Sequence, residues 1–286
     1  MPKKLLKAIY RNAIPTGIAN RIRTRFELKQ LGNVSTEQFD FGPLQTVSTE
    51  DLTQIFNDDE LENDFRSDQE ILAKLDLPES TGGVNVGDQK AIYFLIRHFK
   101  PTNVLEVGTF IGCSTVHIAM AVRHTDGARL TTVDINDVND LNEKRWEKYG
   151  AKNSPIENVR SINCQDIVSF QARDSREYLS GYQGEKYDFV FLDGNHEAAY
   201  VYYEVAQTLK ILRPGGLILL HDFCPGGVPL WEGAKRTIPG PYVAVERILR
   251  ENPGSVTVLP LGELPWQTKL NSRVTSLALV SKPDVS

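Results

Sequence analysis

No run of 18 or so apolar residues occurs anywhere in the 286-residue chain, which excludes an ordinary membrane-spanning helix. Cysteine is scarce. Cys113, Cys164 and Cys224 are odd in number and widely spaced, which suits reduced thiols in a cytoplasm better than a disulfide framework. Lys3, Lys4 and Lys7 are followed by no apolar stretch, so no secretory signal is expected. Excess positive charge is missing too: 32 Lys plus Arg face 37 Asp plus Glu, for a formal net charge of -5, and such a chain is ill suited to wholesale nucleic-acid binding. Internal repeats and low-complexity segments are absent. The remaining composition, 41% hydrophobic and 24% charged, is that of a globular protein with enough apolar residues for a sizeable core.

The average charge hides a bipolar start. Residues 1–30 hold Lys3, Lys4, Lys7, Arg11, Arg21, Arg23, Arg25 and Lys29 against Glu27 alone. Between Glu50 and Glu70 the balance reverses, with nine acids facing only Arg66. A basic helix or two, a polar stretch over residues 32–49 and an acidic helical segment ending before Pro78 read as an N-terminal extension, residues 1–82, with its boundary at Ser80-Thr81-Gly82-Gly83. The extension is expected to act as a cap over substrate or as a dimer contact, ahead of adhesion to an anionic membrane.

Residues 83–286 read differently, as apolar strands alternating with helical periodicity. Ile92, Leu95, Ile96 and Phe99 fall at helical spacing, and Pro101 stops the helix. Strands are expected at 103–107, 130–133, 159–163, 187–192, 216–220, 256–259 and 274–280, and further helices at 114–122, 138–149, 198–212 and 243–250. The last two strands are joined without an obvious helix. This pattern gives an α/β fold: a Rossmann-like, doubly wound, seven-stranded, mostly parallel sheet whose last strand is antiparallel, plus the helical extension.

The first strand and its loop read Val104-Leu105-Glu106-Val107-Gly108-Thr109-Phe110-Ile111-Gly112-Cys113-Ser114-Thr115. Glycines at 108 and 112 let backbone approach a ligand, and free N–H groups at the following helix start can hold a carboxylate. The spacing is E-x-G-x-x-x-G, not the G-x-G-x-x-G of a dinucleotide site. It resembles the first motif of class I S-adenosylmethionine-dependent methyltransferases, and Gly-Thr-Phe-Ile-Gly-Cys-Ser looks like the catechol and caffeoyl-CoA O-methyltransferase branch. The resemblance implies S-adenosylmethionine as cofactor, with Glu106, Gly108, Thr109, Gly112 and Ser114 around it. Asp134, ending the second strand, is placed to accept hydrogen bonds from both ribose hydroxyls. The family's adenine contact after the third strand falls on Gln165 or Asp166.

The fourth strand ends in Asp193-Gly194-Asn195-His196 and the fifth in His221-Asp222. If these strands are adjacent, all four polar residues meet at one crevice. Methyl transfer needs an aligned nucleophile relieved of its proton, and two arrangements supply this. In one, Asp193 and Asp222, completed by His221 or water, hold a divalent cation such as magnesium while His196 takes the proton. The catechol-type enzymes resemble this, although His196 stands in place of their lysine and Phe223 in place of their Asn ligand. In the other no metal is used, and His196 or His221 is the base, oriented by Asp222 or Asp193. A branch with Asp-Gly-Asn/Asp-His and His-Asp at these strand ends is closer still, with varied acceptors that include sugars and natural products.

His117, four residues after Cys113, reads as a helix-face residue, and His98 and His124 receive no role. Cys224-Pro225-Gly226-Gly227 starts a loop through Trp231 expected to cover substrate. The whole reading is a cytoplasmic, homodimeric O-methyltransferase for a small hydroxylated molecule. Its rivals are a metal-independent N- or O-methyltransferase and a non-catalytic cofactor-binding subunit.

Overall fold

The structure, a computed structural model, describes residues 16–75, 77–78, 83–231 and 237–283. The basic residues 3–11, most of the expected boundary at 80–83 and part of the expected substrate-covering loop lie outside the described residues.

Helices α1 (Thr16–Gly32), α2 (Thr49–Phe56) and α3 (Asp59–Leu72) precede α4 (Val86–Phe99). Then follow β1 (Asn103–Val107), α5 (Cys113–Val122), β2 (Arg129–Asp134), α6 (Pro155–Ser161), β3 (Val168–Ala172), α7 (Ser175–Ser180), β4 (Tyr187–Leu192), α8 (Ala198–Ile211), β5 (Leu212–Leu220), α9 (Gly240–Glu251), β6 (Thr257–Pro260) and β7 (Ala278–Ser281). The strands form one sheet in the order β3-β2-β1-β4-β5-β7-β6. All pairings are parallel except those of β7, which runs antiparallel between β5 and β6. The order reverses between β1 and β4, and a crevice opens there beyond the carboxyl ends of the strands.

Strand β4 shows why the centre was readable. It pairs with β1 and β5 and lies under helices on both faces, so nearly every side chain of Tyr187–Leu192 is buried and the run is almost wholly apolar. One core layer joins Phe56, Leu61 and Phe65 to α4 and α5; the other joins Leu31, Phe41 and Leu44 to α8 and α9. Residues 16–75 thus pack on both faces of the sheet, and Leu44 forms a parallel bridge to Gly216.

Two expected elements are corrected. The strand at 159–163 is instead the end of α6 and a turn, because Ser154 and Glu157 form a reciprocal capping box with Pro155 at the first helical position. The third strand is β3, an edge strand whose side chains are mostly exposed or half-buried, so its apolar signal is weak. The helix at 138–149 reduces to a single 3₁₀ segment, Arg145–Tyr149. Asp137 and Asp140 turn the chain before it, each accepting a bond from the backbone N–H two residues on.

Candidate active site

Gly108 follows β1 directly with φ of +104°. A Cβ there would lie 2.2 Å from the carbonyl oxygen of Asp193, so a glycine is what lets the ends of β1 and β4 close up. Glu106 is wholly buried beneath this loop. Its carboxylate accepts from Ser114 Oγ at 2.5 Å, Thr115 Oγ1 at 2.5 Å and Thr132 Oγ1 at 2.6 Å. Burial pushes its pKa up to about 7 against the pull of these three hydroxyls. Thr109 Oγ1 extends the network, 2.6 Å from Thr132 Oγ1. Glu106 and Thr132 therefore brace the loop from below, while Thr109 and Ser114 also face the cleft above it.

That cleft has a volume of about 360 Å³, within the range of small-molecule sites, and is lined by Gly108, Asp134, Asn136, Ser175, Asp193 and His196 among others. Asp134 receives the backbone N–H of Phe110 at 2.9 Å on one oxygen and that of Asn136 at 2.9 Å on the other. Gly112 caps α5 with no side-chain hydrogen bond, and Cys113 and Ser114 of that helix's first turn line the cleft. Gln165 and Asp166 are not in the cleft. They precede β3 at the opposite end of the sheet, exposed and bonded to each other at 3.1 Å. The residues that do follow β3 and line the cleft are Arg173, Asp174 and Ser175. Once α6 replaces the expected third strand, the strand end moves from 163 to 172.

The polar cluster lies at the adjacent ends of β4 and β5. His196 Nε2 stands 3.5 Å from Asp222 Oδ2 and 3.9 Å from Asp193 Oδ1. One ligand atom each from Asp193, His196 and Asp222 lies within 4.8 Å of the others, a spacing that fits a shared cation. Asp222 holds the left-handed conformation (φ +53°), uncommon for a non-glycine residue and frequent at functional sites. His221 turns the other way, into the protein. Its Nδ1 is 2.7 Å from Asp193 Oδ1 and its Nε2 3.5 Å from the buried Asp88 Oδ2. Burial works to lower its pKa, but the charges of Asp193 and Asp222, the hydrogen bond to Asp193 and the nearby Asp88 carboxylate raise it well above the ordinary imidazole value. Of the four expected polar residues, Asp193, His196 and Asp222 cluster together, the first two lining the cleft, and the fourth, His221, backs Asp193 from inside.

Two residues near the cluster carry no sequence motif. Asp88 begins α4, where Asn85 accepts its backbone N–H, so in sequence it looks like a first-turn acid. Lys269, in the loop between β6 and β7, lies 3.6 Å from the centre of the Trp231 ring. Burial lowers its pKa, opposed by the charges of Asp88, Asp222 and Cys224. The thiols are poor nucleophiles: burial pushes Cys113 and Cys224 each up to about 11. His117 is structural, its Nδ1 bonded to the Cys113 carbonyl at 2.8 Å and its pKa driven down to about 4 by burial. His124 pairs with Asp68 at 2.7 Å, away from the cleft.

Residues 105–223 match a family described as a methyltransferase domain. The chain is 27% identical over 210 residues to caffeoyl-CoA O-methyltransferase of Stellaria longipes, covering 70% of this chain and 78% of that protein. It is 25% identical over 194 residues to catechol O-methyltransferase domain-containing protein 1 of Mus musculus, covering 67% and 69%. Among solved structures, the O-methyltransferase TomG of Streptomyces achromogenes, determined in complex with SAM, superposes with a TM-score of 0.51 at 18% identity over 80% of this chain and 91% of that one, a likeness of fold. The matched segment begins in β1 and ends just past Asp222, so the part of the chain that is similar to a methyltransferase domain contains both the glycine loop and the polar cluster, and the relatives it resembles are O-methyltransferases by name.

Proposed function

We propose that the chain transfers a methyl group from S-adenosylmethionine to a hydroxyl of a small molecule, a natural product, sugar or phenolic, at a cation site formed by Asp193, His196 and Asp222. The observation that carries this reading is the convergence of those three side chains within 4.8 Å at the rim of the cleft. A divalent ion held there supplies Lewis acidity, lowering the pKa of the acceptor hydroxyl. The chain's own residues do the rest. Asp134 accepts the ribose hydroxyls, the first turn of α5 holds the methionine carboxylate, and Arg173, Asp174 and Ser175 border the adenine. His221 fixes the rotamer of Asp193, as outer-shell partners of ligating groups do. In this reading His221 is a positioning residue, and residues 1–82 are an extension packed around a catalytic domain of residues 83–286.

The 3.5 Å separation of His196 Nε2 from Asp222 Oδ2 supports a second reading, in which His196 is a free base oriented by Asp222 and no metal is used. Methyl transfer to a panel of hydroxylated acceptors, assayed with and without EDTA and with Mg²⁺ or Mn²⁺ restored, separates the two. Activity lost to EDTA and regained with the ion supports the cation site; full activity in EDTA overturns it in favour of His196 alone. Among the described residues no helix is long and apolar enough to cross a membrane.

A further inference from the structure

The two faces of α1 are unlike in a way its composition hides. The inner face is built from Asn20, Glu27 and Leu31, spaced i, i+7 and i+11 on one side of the helix. Asn20 Oδ1 accepts from Thr237 N at 3.4 Å, Glu27 Oε2 accepts from Ala198 N at 2.8 Å, and the Leu31 carbonyl accepts from Arg247 Nη1 at 2.7 Å. This face fixes α1 to α8 and α9. Glu27, the one acid among the first thirty residues, is thereby spent on the start of α8, whose own N-cap Glu197 makes no side-chain bond.

The outer face is apolar and basic. Ile18, Ile22 and Phe26, at i, i+4 and i+8, are 51%, 54% and 55% exposed, and Leu28 beside them is 51% exposed. Arg21, Arg25 and Lys29 share that side and are also exposed. No acid lies on it. The fifteen residues that precede α1 carry Lys3, Lys4, Lys7 and Arg11, again with no acid, together with Leu5, Leu6 and Ile9. Large apolar side chains in a row on an exposed helix are unfavourable in water, and a row interleaved with arginine and lysine needs a partner that is both apolar and anionic.

The acidic stretch of a second copy is a poor match, because its charges are largely used within the chain. Glu62 pairs with Lys90 and Arg66, Asp64 with Arg97, and Asp68 with Arg123, His124 and Tyr93. Asp51 and Asp58 cap α2 and α3. Only Glu50, Asp59, Glu60 and Glu70 of that run are left without such a partner among the described residues. The apolar row from Ile18 to Phe26 is also only about 12 Å long at 1.5 Å per residue, narrow for a stable protein interface. We infer that the outer face of α1 is a docking surface for an anionic lipid bilayer, with Ile18, Ile22 and Phe26 entering the headgroup boundary and Arg21, Arg25 and Lys29 meeting lipid phosphates and carboxylates.

The test is cosedimentation of the full chain with vesicles of phosphatidylcholine alone and of phosphatidylcholine mixed with phosphatidylserine. Binding is expected to the mixed vesicles only and to fall as salt is raised. The double variants I22D/F26D and R21E/R25E change exposed side chains only, so the fold is kept, as circular dichroism and calorimetric binding of S-adenosylhomocysteine will check. Each is expected to lower partitioning by ~10-fold or more, from about 1 kcal/mol per basic residue near such a surface. Equal binding to neutral vesicles, no binding, or variants that bind as the parent does would each overturn the inference. Lipid-free self-association in sedimentation velocity that both variants abolish would overturn it in favour of a second copy. Because cofactor binding is read separately, failure here leaves the proposed reaction standing.

Discussion

Oδ1 of Asp193 is held 2.7 Å from Nδ1 of His221, whose other nitrogen faces the buried Asp88. Asp193 is therefore aimed from inside the protein, and its orientation depends on an imidazole that reaches the cleft only through it. His221→Gln keeps a polar side chain of similar reach but loses the ring geometry. Its affinity for Mn²⁺, titrated calorimetrically with S-adenosylhomocysteine present, is expected to fall ~10-fold to 100-fold, as when outer-shell partners of metal ligands are removed. Affinity for S-adenosylhomocysteine itself should change little. Unaltered Mn²⁺ affinity would show that His221 serves packing alone.

The cleft gives a sharper contrast. Asp134 lines it and is held by two backbone N–H groups, whereas Asp166 lies exposed at the other end of the sheet. Asp134→Ala is expected to weaken S-adenosylhomocysteine binding by ~10-fold or more, the loss of hydrogen bonds to a charged group, and Asp166→Ala to leave it unchanged. Ser175→Val, which fills the space beside the cleft after β3, should weaken it too. Weakening by Asp166→Ala with no effect of Ser175→Val would contradict the register of β3.

These contrasts show what the amino-acid order made legible. The runs Val104–Val107, Tyr187–Leu192 and Leu217–Leu220 are buried on both faces, so their apolar character announced the sheet centre; Gly108, Asp193, His196 and Asp222 were located by following those strands, and Asp134 by ending β2. Strand β3 was missed because an edge strand reads as alternating polar residues, while Val159 and Ile162 are apolar for a different reason, packing α6 and its turn into the core. Asp88 and Lys269 were invisible because they reach the cluster from α4 and from a loop far along the chain, and no spacing rule links them to Asp222. The opposite roles of His196 and His221 rest on side-chain direction, which the order of residues at two strand ends does not encode.

Gly108 tests whether the close approach of β1 and β4 matters to the site. An added methyl would meet the Asp193 carbonyl oxygen at 2.2 Å, on a residue whose φ of +104° already disfavours any side chain. Gly108→Ala is expected to cost about 2 kcal/mol or more in urea unfolding and to displace Asp193, abolishing methyl transfer. Gly127→Ala is the control: it shares a positive φ of 72° but has no atom within 4 Å of the added methyl. The control should lose stability by strain alone and keep its activity. Similar losses of activity in both variants would mean that strain, not the contact with Asp193, disables the enzyme.

Behind the cleft, Glu204 on α8 makes stability depend on pH. It is buried and bonded to Ser175 Oγ at 2.5 Å. Burial pushes its pKa up to about 8, with Ser175 and Arg176 pulling down and Asp174 pushing up. In the unfolded chain it titrates near the ordinary glutamate value of ~4.3. Between these limits the folded state holds a proton that the unfolded state has released, so stability is greatest below about 4.3 and is lost as pH rises toward 8, by up to a few kcal/mol. Glu204→Gln fixes the neutral form and removes the slope. At pH 5 the two proteins should unfold at similar urea concentrations, and by pH 8 the variant should be the more stable. Glu106, raised to about 7 by its own burial, adds a slope of the same sign, but it is present in both proteins and cancels in their difference. A difference that stays constant from pH 5 to pH 8 would mean that Glu204 does not hold its proton in the folded chain.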